Sequence, residues 1–169
     1  MPFTPIHMGP GILIKSILQS SFSLMVFGWA QIIMDIQPLI VMLTGEGHLH
    51  GFTHTYLGAL LLTIVSALTG KHLSEYGLII LGIAKKDNPI SIKWWVVFVS
   101  AFIGTFSHVF LDSIMHYDIE PFYPWIANNY LHNMITINQL HQFCLYSGLV
   151  GAAIYYLIQL QLKKESYHD

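Results

Sequence analysis

Apolar residues come in four long runs, from about Phe22 to Leu43, Tyr56 to Leu68, Trp94 to Met115 and Phe143 to Leu162, with most of the charge lying between or beyond them. A helix needs about 20 mostly apolar residues to cross a bilayer, so the runs predict four membrane helices. The second reaches that length if it extends from Thr53 to Gly70 with His54 at the interface. Tyr76 to Ala84 is apolar but too short to cross, which predicts an interfacial or packing helix within a connector. Near the N-terminus, Gly11 to Met34 can be read as one span, which would put His7 on the cytoplasmic side. The polar triplet Gln19-Ser20-Ser21 instead favours a hairpin, with a short helix from about Gly9 to Leu18 and a second from about Phe22 to Asp35. Helices of about 10 to 14 residues reach only about 15 to 21 Å, against a hydrocarbon core of about 30 Å, so the hairpin is expected to be buried or re-entrant. Protein or a wet cavity must then cover it. The expected fold is all-α, a polytopic membrane bundle of about four spans plus a short N-terminal re-entrant or packing helix, in a single domain over residues 1–169.

Composition supports a membrane protein. Hydrophobic residues make up 54% of the chain and charged residues 9%, against roughly 25% charged in soluble domains. All seven basic residues are lysines and none forms a basic patch, which argues against nucleic acid as a partner. Lys71, Lys85, Lys86 and Lys93 crowd the connector between the second and third runs, and Lys163 and Lys164 follow the last. The positive-inside rule makes both segments cytoplasmic. The opposite connectors, about Thr44 to Thr53 and His116 to Leu140, contain no lysine and are expected to face outward. The single Cys144 is expected to be a small core residue. No basic stretch precedes an apolar run at the N-terminus, so a cleaved signal peptide is not expected and His7 stays in the mature chain.

Ionisable residues inside apolar runs are costly to bury and mark functional sites. His108 and Asp112 stand four apart on a helix, so both project from one face and can reach one ion or two adjacent ions. The plainer alternative is a metal-free His–Asp hydrogen bond that packs helices together. His50 and His54 share the same spacing, Gly51 permits a tight turn or close approach, and His48 rivals His50. Asp35 precedes Ile36-Gln37-Pro38, where proline ends or kinks the helix. With no arginine in the chain, Asp35 is protonated, paired with Lys15 or bound to a cation, and a cation satisfies the most groups. His116, Asp118 and Glu120 follow the third run, ahead of an aromatic loop Pro121-Phe122-Tyr123-Pro124-Trp125. Asp118 or Glu120 can act as a general base, or the segment is an ordinary solvated loop. His132 and His141 are weaker candidates, and His72 and His168 are expected at the cytoplasmic surface. His50, His54, His108, Asp112 and His116 all fall at or near the outward side, which predicts one cluster. Imidazole and carboxylate together suit zinc or a similar divalent ion.

The order of motifs adds a further expectation. An N-terminal Thr-Pro-x-His, an apolar helix ending in Asp, Gly-Phe-Thr-His-Thr, and Ser-His-x-x-x-Asp followed by Pro and Tyr-Pro-Trp resembles the YdjM-like family of bacterial membrane-bound, metal-dependent hydrolases, over most of the chain. The family pattern has His-Arg before Gly-x-Thr-His, where this chain has Leu49-His50, which leaves the choice between His48 and His50 as ligand open. The family also has Pro-Asp-x-Asp where this chain has Met34-Asp35-Ile36-Gln37, one carboxylate fewer. The resemblance implies a multi-pass inner membrane protein that activates water for attack on an ester or phosphoester. One or two divalent ions, zinc first, are then expected on His7, Asp35, His54, His108 and Asp112, with His50 or His48 completing the set and His116 as a further ligand. Asp35 and Glu120 are the expected catalytic carboxylates. Location at a membrane face points to a lipid or other amphipathic substrate, with membrane lipids as partners. The alternative is a non-catalytic metal-binding protein or a small transporter using the same cluster. Haem is disfavoured because it has no use for Asp112 one turn from His108.

Overall fold

The computed structural model describes residues 5–85 and 87–165, so Thr4, Lys86 and His168 of the sequence reading lie outside the described residues. Among the described residues the regular structure is helical: α1 (Met8–Leu18), α2 (Leu24–Thr44), α3 (Tyr56–Ile80), α4 (Trp94–Met115) and α5 (Ile137–Glu165). Short 3-10 turns at Pro5–His7, Gln19–Ser21 and Phe52–His54 lead into α1, α2 and α3. The four helices α2 to α5 are long and apolar enough to cross a membrane.

The expected hairpin is present, and local polar groups close it. Gln19 adopts φ 46°, and the Lys15 ammonium donates to the carbonyls of Gln19 at 2.7 Å and Phe22 at 2.8 Å. Ser23 then caps α2, its Oγ accepting from the Val26 amide at 3.3 Å while its own amide donates to Ser100 Oγ at 2.8 Å. This use of Lys15 replaces the ion pair with Asp35 that the sequence left open. α1 packs chiefly along α5. Small residues let the two backbones approach: a Cβ on Gly9 would strike the Cys144 carbonyl, and one on Gly151 would strike the backbone of Leu13. Cys144 itself is buried with Leu111, Ile114 and Leu140.

Helices α2, α3 and α4 form the other half of the bundle, around Val26, Ala67, Val97 and Ala101 at one level and Met34, Ala59 and Val109 at another. Two expected boundaries move. α2 runs through Asp35 to Thr44 with Pro38 inside it, because the apolar residues after Pro38 still gain from helical pairing in lipid; it ends at Gly45, in the left-handed region at φ 73°. α3 continues to Ile80 and absorbs most of the short helix expected from Tyr76 to Ala84. Its polar stretch does not break it because Lys71 ion-pairs with Glu75 one turn on, donates to the Ile92 carbonyl at 2.7 Å and lies 5.4 Å from the Trp94 ring centroid. Glu75 in turn accepts from the Ile92 amide at 2.8 Å, so the connector is tied to the helix it leaves.

The close α1–α5 approach yields a stability prediction. Gly151→Leu should destabilise the protein by about 1–3 kcal/mol through overpacking, whereas Ala152→Leu, at an exposed neighbouring position, should leave thermal unfolding in detergent unchanged.

Candidate metal centre

Four separate elements deliver ionisable side chains to one buried point. His7 closes the turn before α1, Asp35 comes from α2, His54 closes the turn before α3, and His108 and Asp112 come from one face of α4. All five are buried. His108 Nε2 lies 3.2 Å from Asp112 Oδ2 and 3.4 Å from Asp35 Oδ1. His54 Nε2 lies 3.6 Å from Asp112 Oδ2, and His7 Nε2 lies 3.5 Å from Asp112 Oδ1. Asp35, His54, His108 and Asp112 each offer one donor atom within 4.8 Å of the others, and His50, Asp112 and His116 form a second such set. Asp112 belongs to both. The imidazoles are continuous across the two sets, with His50 5.1 Å from His54 and stacked on His116 at 4.4 Å between ring centroids.

Hydrogen bonds on the outer side of these rings decide which nitrogen faces inward. His108 Nδ1 lies 2.7 Å from Gln31 Oε1, and Gln31 Nε2 donates to the Gly104 carbonyl at 3.0 Å, which fixes the amide orientation. An amide oxygen only accepts, so His108 Nδ1 carries a proton and Nε2 is the nitrogen left to face the carboxylates. The same logic holds for His54: the Thr53 hydroxyl donates to Gln37 Oε1 at 2.5 Å and therefore accepts from His54 Nδ1 at 3.1 Å. His50 Nδ1 donates to Asp118 Oδ2 at 2.8 Å, leaving Nε2 as its remaining donor atom. Among the described residues, the Nε2 atoms of His7, His54 and His108 are buried without a hydrogen-bond partner. Each nitrogen, 3.2–3.6 Å from a carboxylate oxygen, calls for a cation in between, a proton or a metal ion, and one metal ion serves several such pairs at once. Histidines whose second nitrogen is held by a carboxylate or amide oxygen are the usual surroundings of a bound metal. The donor set therefore fits a divalent ion.

Ionisation of the groups outside the spans agrees with that chemistry. Burial pushes His7 down to about 4, against the opposing pull of Asp112, so its ring is neutral near pH 7. Burial also lowers His54, and burial with the neighbouring His50 lowers His116. Burial alone would raise Asp118, but its hydrogen bond and attraction to His50 outweigh it and hold the carboxyl below its usual range.

Other sequence candidates lie around this centre. Of the two rivals, His50 is buried in the cluster and His48 is exposed. His48 and Glu120 line a cavity of about 360 Å³ together with His50, Phe52, Asp118 and Tyr123, so the cavity opens beside the second donor set. Glu120 is an exposed carboxylate there. The aromatic loop is tied down by the Tyr56 amide, which donates to the Pro121 carbonyl at 2.9 Å. Thr55 caps α3, its Oγ1 accepting from the Gly58 amide at 2.9 Å. His141 is half-buried with an unpartnered Nε2, His132 sits 6.4 Å from the Tyr117 ring, and His72 is exposed beside Trp94. Gln31 and Gln37 were not singled out from sequence. The available signal was Gln31 four residues before Asp35, an amide in an apolar run on the carboxylate's own face. Gln37, standing where the resembling pattern has its second carboxylate, holds Thr53 and packs so close to Gly51 that a Cβ there would collide with its amide.

Comparison with known proteins adds one match: the family model described as YdjM inner membrane protein covers residues 12–165. No curated protein and no solved structure matches the chain.

The outer hydrogen bonds can be tested apart from the ligands. Gln31→Ala should weaken zinc affinity by about 10- to 100-fold, read by competition with a chromogenic chelator, while the helical content of the protein stays at the wild-type level.

Proposed function

We propose that this chain, which belongs to the YdjM inner membrane protein family, is a membrane-embedded metal-dependent hydrolase acting on an ester or phosphoester. The observation that carries the reading is the pair of donor sets sharing Asp112, one sealed in the bundle and the other beside a cavity. Asp35, His54, His108 and Asp112 would hold the first ion with His7 alongside, and His50, His116 and Asp112 the second. Mixed imidazole and carboxylate ligands make zinc the leading candidate. Divalent ions bound there would supply Lewis acidity and lower the pKa of water toward neutrality.

The chain's own groups divide the remaining work. Asp118 fixes the tautomer and direction of His50, and Gln31 and Thr53 do the same for His108 and His54. Asp35 is a ligand in this scheme. Glu120, at the cavity wall, takes the proton of the attacking water. The site sits where α4 ends and α3 begins, at one end of the spans, so an amphipathic substrate can reach it from the bilayer. A membrane lipid is the substrate class we favour, with the lysine-bearing end of the bundle cytoplasmic and the cavity facing outward. The burial of the first donor set favours a second reading, a non-catalytic protein in which the ion only stabilises the bundle.

Turnover separates the two readings. Zinc-loaded protein should hydrolyse a chromogenic ester, a chromogenic phosphodiester or a fluorogenic phospholipid, lose that activity to a chelator and regain it with zinc. Glu120→Gln should reduce the rate by about 10²- to 10⁴-fold with metal content unchanged. Metal-loaded protein inert toward all three substrate classes would contradict the hydrolase reading and leave the structural one.

A further inference from the structure

At the end of the bundle away from the His/Asp centre, the short hairpin leaves a space that the longer helices enclose. The turn after α1 is pinned at the level of Ser100 by the Ser23 amide. Ser100 lies six residues inside α4, which begins at Trp94; that is about 9 Å of helix at 1.5 Å per residue. Below the turn lies a cavity of about 1000 Å³, walled by the hairpin, the end of α3, the connector and the start of α4. It is as large as the upper end of ordinary ligand sites, roughly 300–1,000 Å³.

Its lining has two characters. Met25, Trp29 and Ile32 form one apolar face of α2, opposed by Leu73 of α3. Along α2 the wall extends from Leu24 to Ile32, eight residues or about 12 Å. Water filling so apolar a slot is unfavourable. The polar part holds Lys15 and Lys93 with several serines, and no carboxylate lines the cavity among the described residues. Lys15 directs two hydrogen bonds to the Gln19 and Phe22 carbonyls, and an ammonium has three donors. Lys93 is exposed at the start of α4. An apolar slot whose charged lining groups are both lysines, at the level of membrane-spanning helices, complements a molecule with an alkyl chain and an anionic head.

We propose that this cavity binds one anionic membrane phospholipid, its acyl chain against Met25, Trp29 and Ile32 and its phosphate at Lys15 and Lys93. The lipid fills the volume that α1 is too short to occupy and supports the hairpin that carries His7. This site is separate from the hydrolase reading and holds whether or not the centre turns over.

Native mass spectrometry of the detergent-purified full chain tests it, with dioleoyl phosphatidylglycerol, dioleoyl phosphatidylcholine and inorganic phosphate as probes. One phosphatidylglycerol should be retained, at least tenfold more tightly than phosphatidylcholine, and inorganic phosphate should not displace it. Lys93→Glu and Gly28→Phe should each weaken retention at least tenfold, the first by reversing the charge and the second by filling the slot. A Cβ at Gly28 meets only the flexible Met8 thioether, at 3.3–3.5 Å, so the bundle can accept the ring. Lys164→Glu, exposed at the end of α5, should change nothing. If Gly28→Phe fails to fold, the exposed Lys93→Glu decides alone. Equal retention of the two lipids, unchanged retention in Lys93→Glu, displacement by phosphate, or a chain dimer that Lys93→Glu splits would overturn the proposal.

Discussion

Imidazole nitrogens packed against carboxylates in the interior of an apolar bundle are the constraint on which the rest of this structure depends. Removing a carboxylate from water costs several kcal/mol even after relaxation. Here Asp35 and Asp112 are both buried against histidines whose outer nitrogens each carry a proton. A divalent cation at that point satisfies these groups together, because each residue of a donor set offers one ligand atom to it. The amides of Gln31 and Gln37 and the carboxylate of Asp118 then have a purpose beyond packing: they hold the rings with the correct nitrogen facing in.

Backbone architecture follows from the need to bring ligands from both halves of the bundle. α2, α3 and α4 pack together and supply Asp35, His54, His108 and Asp112. His7 comes from the other half, on an α1 that only partly crosses the bundle and lies on α5 through glycine contacts. A full-length span at that position would carry His7 away from the centre. The short helix places it correctly and leaves the opposite end of the bundle open.

Much of this was legible in the residues, for physical reasons. Charged groups stand out in apolar runs, so Asp35, His108 and Asp112 could be picked out, and Gln19-Ser20-Ser21 betrayed the hairpin. Less visible were features that depend on what a side chain meets across the bundle. The polar stretch around Lys71 resembles a helix end until Glu75, Ile92 and Trp94 are seen to satisfy it. Pro38 resembles a stop, yet lipid-facing apolar residues carry α2 onward. Gln31 and Gln37 are neutral, so nothing in their charge announces that they orient ligands. Choosing His50 over His48 required the fold, since only burial and the bond to Asp118 distinguish them.

Metal stoichiometry, measured by elemental analysis of detergent-purified protein equilibrated with zinc, addresses the shared-carboxylate centre most directly. Two equivalents per chain are expected in the wild type, and loss of both on changing the single residue Asp112 to Ala, because that carboxylate belongs to both donor sets. A wild-type protein that stays folded and retains no metal after dialysis would contradict the account, and would make the buried histidines and carboxylates a hydrogen-bonded core.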